Sequence, residues 1–175
     1  MDRPATLDRC ITDTITLRSA VTEDISFLAR LYADTRRQEV SAWGWPPEQQ
    51  AWFLRMQFDA QRRSYQANFP KASDHIVFRD DEPIGRILLS RDAEVMRLID
   101  IALIGNQRRL GIGTHLLRNL LEECRTLSCT LHLQVAQGNP ALQLYERLGF
   151  VQTGGDPMYL QMEWRPTPRQ KVVAC

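Results

Sequence analysis

Arg108-Arg109-Leu110-Gly111-Ile112-Gly113-Thr114 is the stretch on which the reading of this chain turns. It follows a run that starts at Val95 and reaches Ile104, and it precedes Leu116, Leu117, Leu120 and Leu121 at helical spacing. The pattern predicts a strand, a short turn and a helix that opens on Gly-x-Gly. The first N–H groups of a helix lack intrahelical partners, and the helix dipole favours negative charge in front of them. Gly111 and Gly113 remove side chains that would keep an anion from the backbone. Arg108 and Arg109 add charge-assisted donors to the same anion. The loop therefore reads as a phosphate site, with a helix start carrying two incidental glycines as the alternative. Other phosphate loops fit worse. No lysine follows Gly113, as a Walker loop needs, and Leu116 stands where a dinucleotide fingerprint has its third glycine.

Outward from this loop, hydrophobic periodicity divides the chain into short elements. Ile15 to Arg18 alternates as a half-buried strand, and Ile25, Leu28, Ala29 and Tyr32 predict a helix over 23–35 with Thr22 as its N-cap. Residues 40–47 read as a loop. A second helix starts at Pro47 and runs to about residue 67, with an apolar face through Trp52, Phe53, Met56 and Ala60. Phe69-Pro70 ends it. Strands are expected over 75–78, 84–89 and 95–104, then the helix after Gly113, a strand over 130–135, a short helix over 140–148 and strands over 150–153 and 158–164. The order β-α-α-β-β-β-α-β-α-β-β predicts an α/β (α+β) fold, a mixed sheet with helices on both faces. Residues 14–164 form the expected single domain, with 1–13 a loose lead-in and 165–175 a mobile tail.

Composition bounds the function. With 175 residues, 43% hydrophobic and 25% charged, the chain suits one globular domain. A formal net charge of +1 supplies no general attraction to nucleic acid or to an anionic membrane, so neither is expected as a partner. No run is long and apolar enough to span a bilayer, and Met1 to Cys10 has no signal-peptide-like apolar stretch, so a cytoplasmic location is expected. Cys10, Cys124, Cys129 and Cys175 show no paired CxxC spacing. They read as reduced thiols with no metal site.

Three stretches together resemble the GNAT superfamily of N-acetyltransferases. They are Ile99-Asp100-Ile101-Ala102-Leu103, then Arg108-x-x-Gly111-x-Gly113-Thr114, then Asn139-Pro140-Ala141-x-x-Leu144-Tyr145-Glu146-x-x-Gly149-Phe150. The match covers residues 75–164 well, and residues 14–70 in element order only. It implies a mostly antiparallel mixed sheet in which two parallel strands, ending near Leu103 and Val135, splay apart. It also implies acetyl-CoA as co-substrate, without a metal. Its pantetheine arm would pair with backbone along Ile101, Ala102 and Leu103, and its pyrophosphate would sit on Arg108, Arg109, Leu110, Gly111, Ile112, Gly113 and Thr114. The Ile101 N–H would polarise the thioester carbonyl. Tyr145 matches the tyrosine that protonates the leaving thiolate, with half-buried packing on its helix as the alternative reading. Asn139 stands for the family's pantetheine-contacting asparagine, although Gly138 holds the usual slot. The glutamate base of the ribosomal-protein acetyltransferases is replaced by Gln134, which takes no proton from an ammonium. The resemblance further implies a small-molecule or peptide amine as acceptor and a homodimer as the assembly. A GNAT-fold module that binds acyl-CoA without turnover is the rival reading.

N-acetylation needs a neutral amine, and amines are largely protonated at pH 7. Asp100 is the candidate base, with an Arg86-paired acid on the sheet surface as the alternative. Strand alternation sets Asp100 on the opposite face from Ile99 and Ile101 unless a bulge intervenes. His75, His115 and His132 are isolated in the sequence and read as structural. The acceptor side is expected from residues 30–70. There Trp43 and Trp45 form either a lid or a hydrophobic plug, while Trp52, Phe53 and Met56 read as core.

Overall fold

The computed structural model describes residues 15–167; the expected lead-in over 1–13 and most of the tail over 165–175 lie outside the described residues. Seven strands and four helices follow the order expected from the sequence. They are β1 (Ile15–Ser19), α1 (Ile25–Ser41), α2 (Pro47–Asn68), β2 (Ser73–Arg79), β3 (Glu82–Arg91), β4 (Val95–Leu103), α3 (Ile112–Leu127), β5 (Thr130–Ala136), α4 (Leu142–Arg147), β6 (Val151–Gly155) and β7 (Tyr159–Trp164). One sheet holds the strands in the order β1-β2-β3-β4-β5-β7-β6. Every neighbouring pair is antiparallel except β4 with β5.

Two apolar clusters occupy the two faces of this sheet. The larger one packs Leu116, Leu117, Leu120 and Leu121 of α3 and Tyr145 of α4 against Ile87, Leu89, Leu98, Leu131, Leu133 and Met162. The smaller one packs Phe27, Leu28 and Leu31 of α1 and Phe58 of α2 against Ile76. Helices therefore cover both faces, as expected. Among the described residues no helix is long and apolar enough to cross a membrane.

The first half of the chain departs from the expectation in three places. Helix α1 continues six residues further than expected, to Ser41, because Val40 is buried and gives the last turn an apolar anchor. Thr22 does not cap it. Asp24 takes the N-cap position without a side-chain bond to the helix, and its carboxylate accepts the Val21 N–H at 2.8 Å, closing a short 3-10 turn over Thr22–Asp24. The expected apolar face of α2 is also wrong. Trp52 is 68% exposed and Met56 is exposed, whereas Phe58 is buried. The inward stripe runs through Leu54, Phe58 and Tyr65, at steps of four and seven, and it faces α1 and the polar centre of the sheet. The five glutamines and three arginines in that helix hide this stripe from a count of apolar residues.

Two glycines hold the geometry of the central strands and their flank. Gly149, at φ +90°, ends α4 in the left-handed conformation that the sequence predicts for it. Gly85 on β3 lies so close to β4 that a Cβ would meet the Ala102 carbonyl and stand 2.6 Å from Leu103 Cδ2. Gly85→Ala should force these strands apart and lower the unfolding free energy by about 1–3 kcal/mol. Urea denaturation of the variant checks this; an unchanged midpoint contradicts the close packing.

Candidate active site at the β4–β5 gap

The parallel ladder between β4 and β5 covers only Val95–Leu98 and Thr130–Leu133. Beyond it, Ile99–Leu103 and Gln134–Ala136 run on without pairing to each other, while β5 stays bonded to β7 as far as Ala136. On its other side β4 carries a bulge. Leu89 pairs with Leu98 and Leu88 with Asp100, so Ile99 is the extra residue. The bulge shifts the alternation by one. Ile101 thereby shares a face with Ile87, toward α3, and Asp100 shares a face with Leu88 and Arg86, toward α1 and α2.

The ladder also decides which backbone groups face the gap. Ile104 donates to Ile84 at 2.9 Å, which makes that a hydrogen-bonded antiparallel pair. By alternation Ala102 with Arg86 and Asp100 with Leu88 are bonded pairs too. The polar backbone groups of Ile101 and Leu103 then point away from β3, into the gap. Ala102 does not: its backbone is spent on β3 and its side chain packs toward α1. The Leu103 carbonyl is also taken, because Arg108 Nε donates to it at 2.7 Å.

The glycine turn has the form expected of an anion site. Gly111 caps α3 at φ +83°, and nothing lies within 4 Å of where its Cβ would be. Arg109 is also left-handed, at φ +61°. The first α-helical bond runs from His115 N–H to the Gly111 carbonyl, which leaves the N–H groups of Ile112, Gly113 and Thr114 without helical partners. The Ile112 side chain is fully buried and anchors this end of the helix, while Leu110 is exposed. Arg108 has a different task from the one expected. Its guanidinium binds Asp34 of α1 at 2.9 Å, and the same carboxylate accepts the Gly105 N–H at 2.8 Å. Arg108 thus ties α1 to the end of β4. Arg109 is exposed and forms no ion pair among the described residues, which leaves it as the cation of the loop.

Asp100 and Tyr145 lie on opposite faces of the sheet, near enough for the Asp100 charge to act on the Tyr145 hydroxyl. Tyr145 is buried from the α3 and α4 side, with its ring edge-on to Phe150 at 5.6 Å. Burial and the Asp100 charge push its hydroxyl up to about 12, so it stays protonated throughout the neutral range. Asp100 keeps a quarter of its side chain accessible. Burial pushes its carboxyl upward, while Arg86 draws it back and Asp74 adds to the rise. The Ile101 N–H also favours the charged carboxylate, so this donor already serves Asp100. Asp100 does pair with Arg86, at 3.2 Å, as the alternative reading anticipated. Two more tyrosines stand within electrostatic reach of Asp100. Tyr32 of α1 and Tyr65 of α2 each feel the Asp100 charge, and Tyr159 of β7 acts on both.

The remaining sequence candidates fall outside this centre. Asn139 Oδ1 accepts the Ala141 N–H at 2.9 Å, so its side chain caps the turn into α4. Gln134 is exposed on β5, opposite Gln161. His132 approaches Glu163 at 3.4 Å and Thr130 at 3.1 Å, and His115 contacts Asn119 on α3. Trp43, Trp45 and Phe53 pack edge-on at 5.1–5.6 Å and anchor the α1–α2 loop, leaving both indoles partly exposed. Trp43 and Phe53 also line a cleft of about 250 Å³ with Tyr32, Arg36, Glu39 and Gln57. Sequence reasoning missed Tyr32, Tyr65, Tyr159 and Asp74, since no local motif links residues from four separate elements. Cys124 and Cys129 are buried free thiols.

The chain matches the Acetyltransferase (GNAT) family over residues 29–150. That span is well over half of the sequence, and the chain belongs to the GNAT acetyltransferase family. Solved structures share the fold at low identity. The PaiA N-acetyltransferase of Thermoplasma acidophilum, solved in complex with coenzyme A, is 20% identical, with a TM-score of 0.65 over 87% of this chain and 99% of that one. A GNAT family acetyltransferase of Elizabethkingia anophelis with acetyl-CoA bound is 15% identical, with a TM-score of 0.60 over 87% and 99%. The ribosomal-protein-S18-alanine N-acetyltransferase of Escherichia coli is 18% identical, with a TM-score of 0.60 over 92% and 99%. No curated protein matches the chain.

Gly113 tests the turn cleanly, because the nearest protein atom to a Cβ there is Leu144 Cδ2 at 3.9 Å. Gly113→Asp should leave the fold intact and abolish acetyl-CoA binding, since it sets bulk and negative charge against the phosphates. Titration calorimetry reads the loss; retained affinity in a folded variant sinks the assignment of the turn.

Proposed function

We propose that this chain is an acetyl-CoA-dependent N-acetyltransferase that transfers the acetyl group directly to a primary amine of a small molecule or peptide. The observation that carries the reading is the convergence on one gap. The Gly111 turn opens just beyond β4, the Ile101 carbonyl and the Leu103 N–H face the gap with no partner on β5, Asp100 lies on the same released segment of β4, and Tyr145 is near enough to feel the Asp100 charge. Two of the similar structures hold coenzyme A or acetyl-CoA, which agrees with this reading.

The residues present fit the co-substrate. The turn from Arg109 to Thr114 offers orphan N–H donors, one free cation and empty space at Gly111 for a pyrophosphate. Ile101 and the Leu103 N–H offer strand-like pairing to the amide groups of pantetheine. Bound acetyl-CoA supplies an acetyl group activated as a thioester. Asp100 accepts the proton of the incoming ammonium, and its upward shift toward neutral pH suits it to that task. Tyr145 holds a proton for the departing sulfur, because burial keeps its hydroxyl neutral. The cleft beside Tyr32 and Arg36 lies on the same sheet face as Asp100 and receives the body of the acceptor.

Calorimetry with acetyl-CoA, followed by free-thiol release against small amines, polyamines and peptide N-termini, tests the reading. Tight binding with release for one class of amine is expected. Binding without release for any amine points instead to a non-catalytic acyl-CoA module, and no binding removes the co-substrate. Tyr145→Phe should lower kcat by about 100-fold with little change in acetyl-CoA affinity. Equal kcat in the two proteins would make Tyr145 a packing residue. Asp100→Asn should abolish the acid limb of the kcat/KM profile, since the base is active only when ionised.

A further inference from the structure

Arg86 is the buried cation of the sheet, placed on β3 between an acid on β2 and an acid on β4. It donates twice to Asp74, through Nε at 2.8 Å and through a terminal nitrogen at 2.7 Å. It donates once to Asp100, at the longer distance of 3.2 Å. The Tyr65 ring lies over its guanidinium at 5.5 Å. One cation therefore serves two carboxylates, and the two-pronged bond goes to the acid farther from the gap. Stability alone does not explain the arrangement, since apolar residues commonly replace buried ion pairs without loss. A surplus carboxylate makes such a site still less favourable.

The surplus is placed where acetyl transfer would use it. We propose that Asp74 and Arg86 are positioning residues for that reaction: Arg86 holds the Asp100 carboxylate on the α1 and α2 face of β4, on the segment that β5 leaves unpaired, and Asp74 engages the guanidinium so that Asp100 remains free to accept a proton. The proposal rests on the reading of Asp100 as base. Its geometry depends on the Ile99 bulge, which turns Asp100 onto the face that carries Arg86. Without the extra residue Asp100 would point toward α3, and Asp74 and Arg86 would share no partner with the gap.

The groups that face Asp100 define what a titration can report. Arg86 and Asp74 come from the sheet, Tyr32 from α1, Tyr65 from α2 and Tyr145 from α4, and Tyr159 of β7 and Arg36 of α1 act next to Tyr32. Tyr32, Tyr65 and Tyr145 are all shifted upward by burial, so they stay neutral where a carboxylate titrates. The signs then follow. Asp74 raises the Asp100 carboxyl and Arg86 lowers it. Asp74→Asn removes a negative charge, so Asp100 ionises at lower pH. Arg86→Gln removes the opposing cation, so Asp100 ionises at higher pH. General damage to the sheet has no reason to move the two variants in opposite directions.

The test follows two readouts in the wild type, Asp74→Asn and Arg86→Gln. One is the acid limb of kcat/KM with the best amine; the other is the titration of the Asp100 carboxyl carbon by NMR. Both should move to lower pH in Asp74→Asn and to higher pH in Arg86→Gln, while the acetyl-CoA Kd stays within a factor of about 3 of the wild type. If Arg86→Gln does not fold, the direction in Asp74→Asn decides. A resonance and limb that stay in place, or move upward, in Asp74→Asn overturn the proposal and leave Asp100 as base. A resonance that moves while the limb does not overturns the proposal together with the role of Asp100.

Discussion

Parallel pairing between β4 and β5 stops after Leu98 and Leu133, and one extra residue, Ile99, interrupts the ladder on the other side of β4. These two facts describe one constraint. A central strand bonded on both sides has no backbone to offer a ligand. A strand released on one side must aim its free groups somewhere useful or lose their hydrogen bonds. The bulge keeps β4 bonded to β3 while it resets which side chains face which helices. Ile101 goes to the α3 side, and Asp100 goes to the α1 and α2 side. The glycine turn, the tyrosines and the buried arginine all take their places relative to that strand.

The elements around the gap are held by polar ties rather than by a continuous apolar core. Asp34 binds both Arg108 and the Gly105 N–H, which fixes α1 to the end of β4 and sets the approach to the glycine turn. Arg86 joins β2, β3 and β4 on the face where α2 brings Tyr65. The apolar clusters lie to either side, under α3 with α4 and under α1 with α2. A buried charge set in this way is rigid only while every partner is present. Loss of any one partner at the centre of the sheet therefore leaves a buried charge uncompensated.

Membership of the GNAT acetyltransferase family gives the chain a fold and a reaction type, while the acceptor depends on residues outside the shared motifs. The region from Tyr32 to Gln57 carries Arg36, Glu39, Trp43, Phe53 and Gln57 around one cleft. Both signs of charge and an apolar wall occur there within one helix pair. Under the proposed function, such a surface selects the body of an amine by shape and local charge, since a net charge of +1 gives no long-range guidance.

The element order, the glycine turn and the strand that precedes it were legible in the sequence because each rests on local rules. Periodicity marks strands and helices, Gly149 stops α4, and Gly111 takes a conformation that most residues avoid. The inward face of α2 was not legible, because apolar residues lie on more than one side of that helix and only contact with α1 and Arg86 shows that Leu54, Phe58 and Tyr65 turn inward. Asn139 and Arg108 look like ligand contacts in a motif, yet they cap a turn and tie a helix. The sequence by itself determined the family pattern and the place of the glycine turn. Tertiary structure alone decided that Ile99 is a bulge, that Asp100 faces Arg86, and that Tyr32 and Tyr65 come within reach of its charge. The reason is physical: a bulge is a mismatch between two strands, and a charge network is a meeting of distant segments, so neither exists until the sheet has formed.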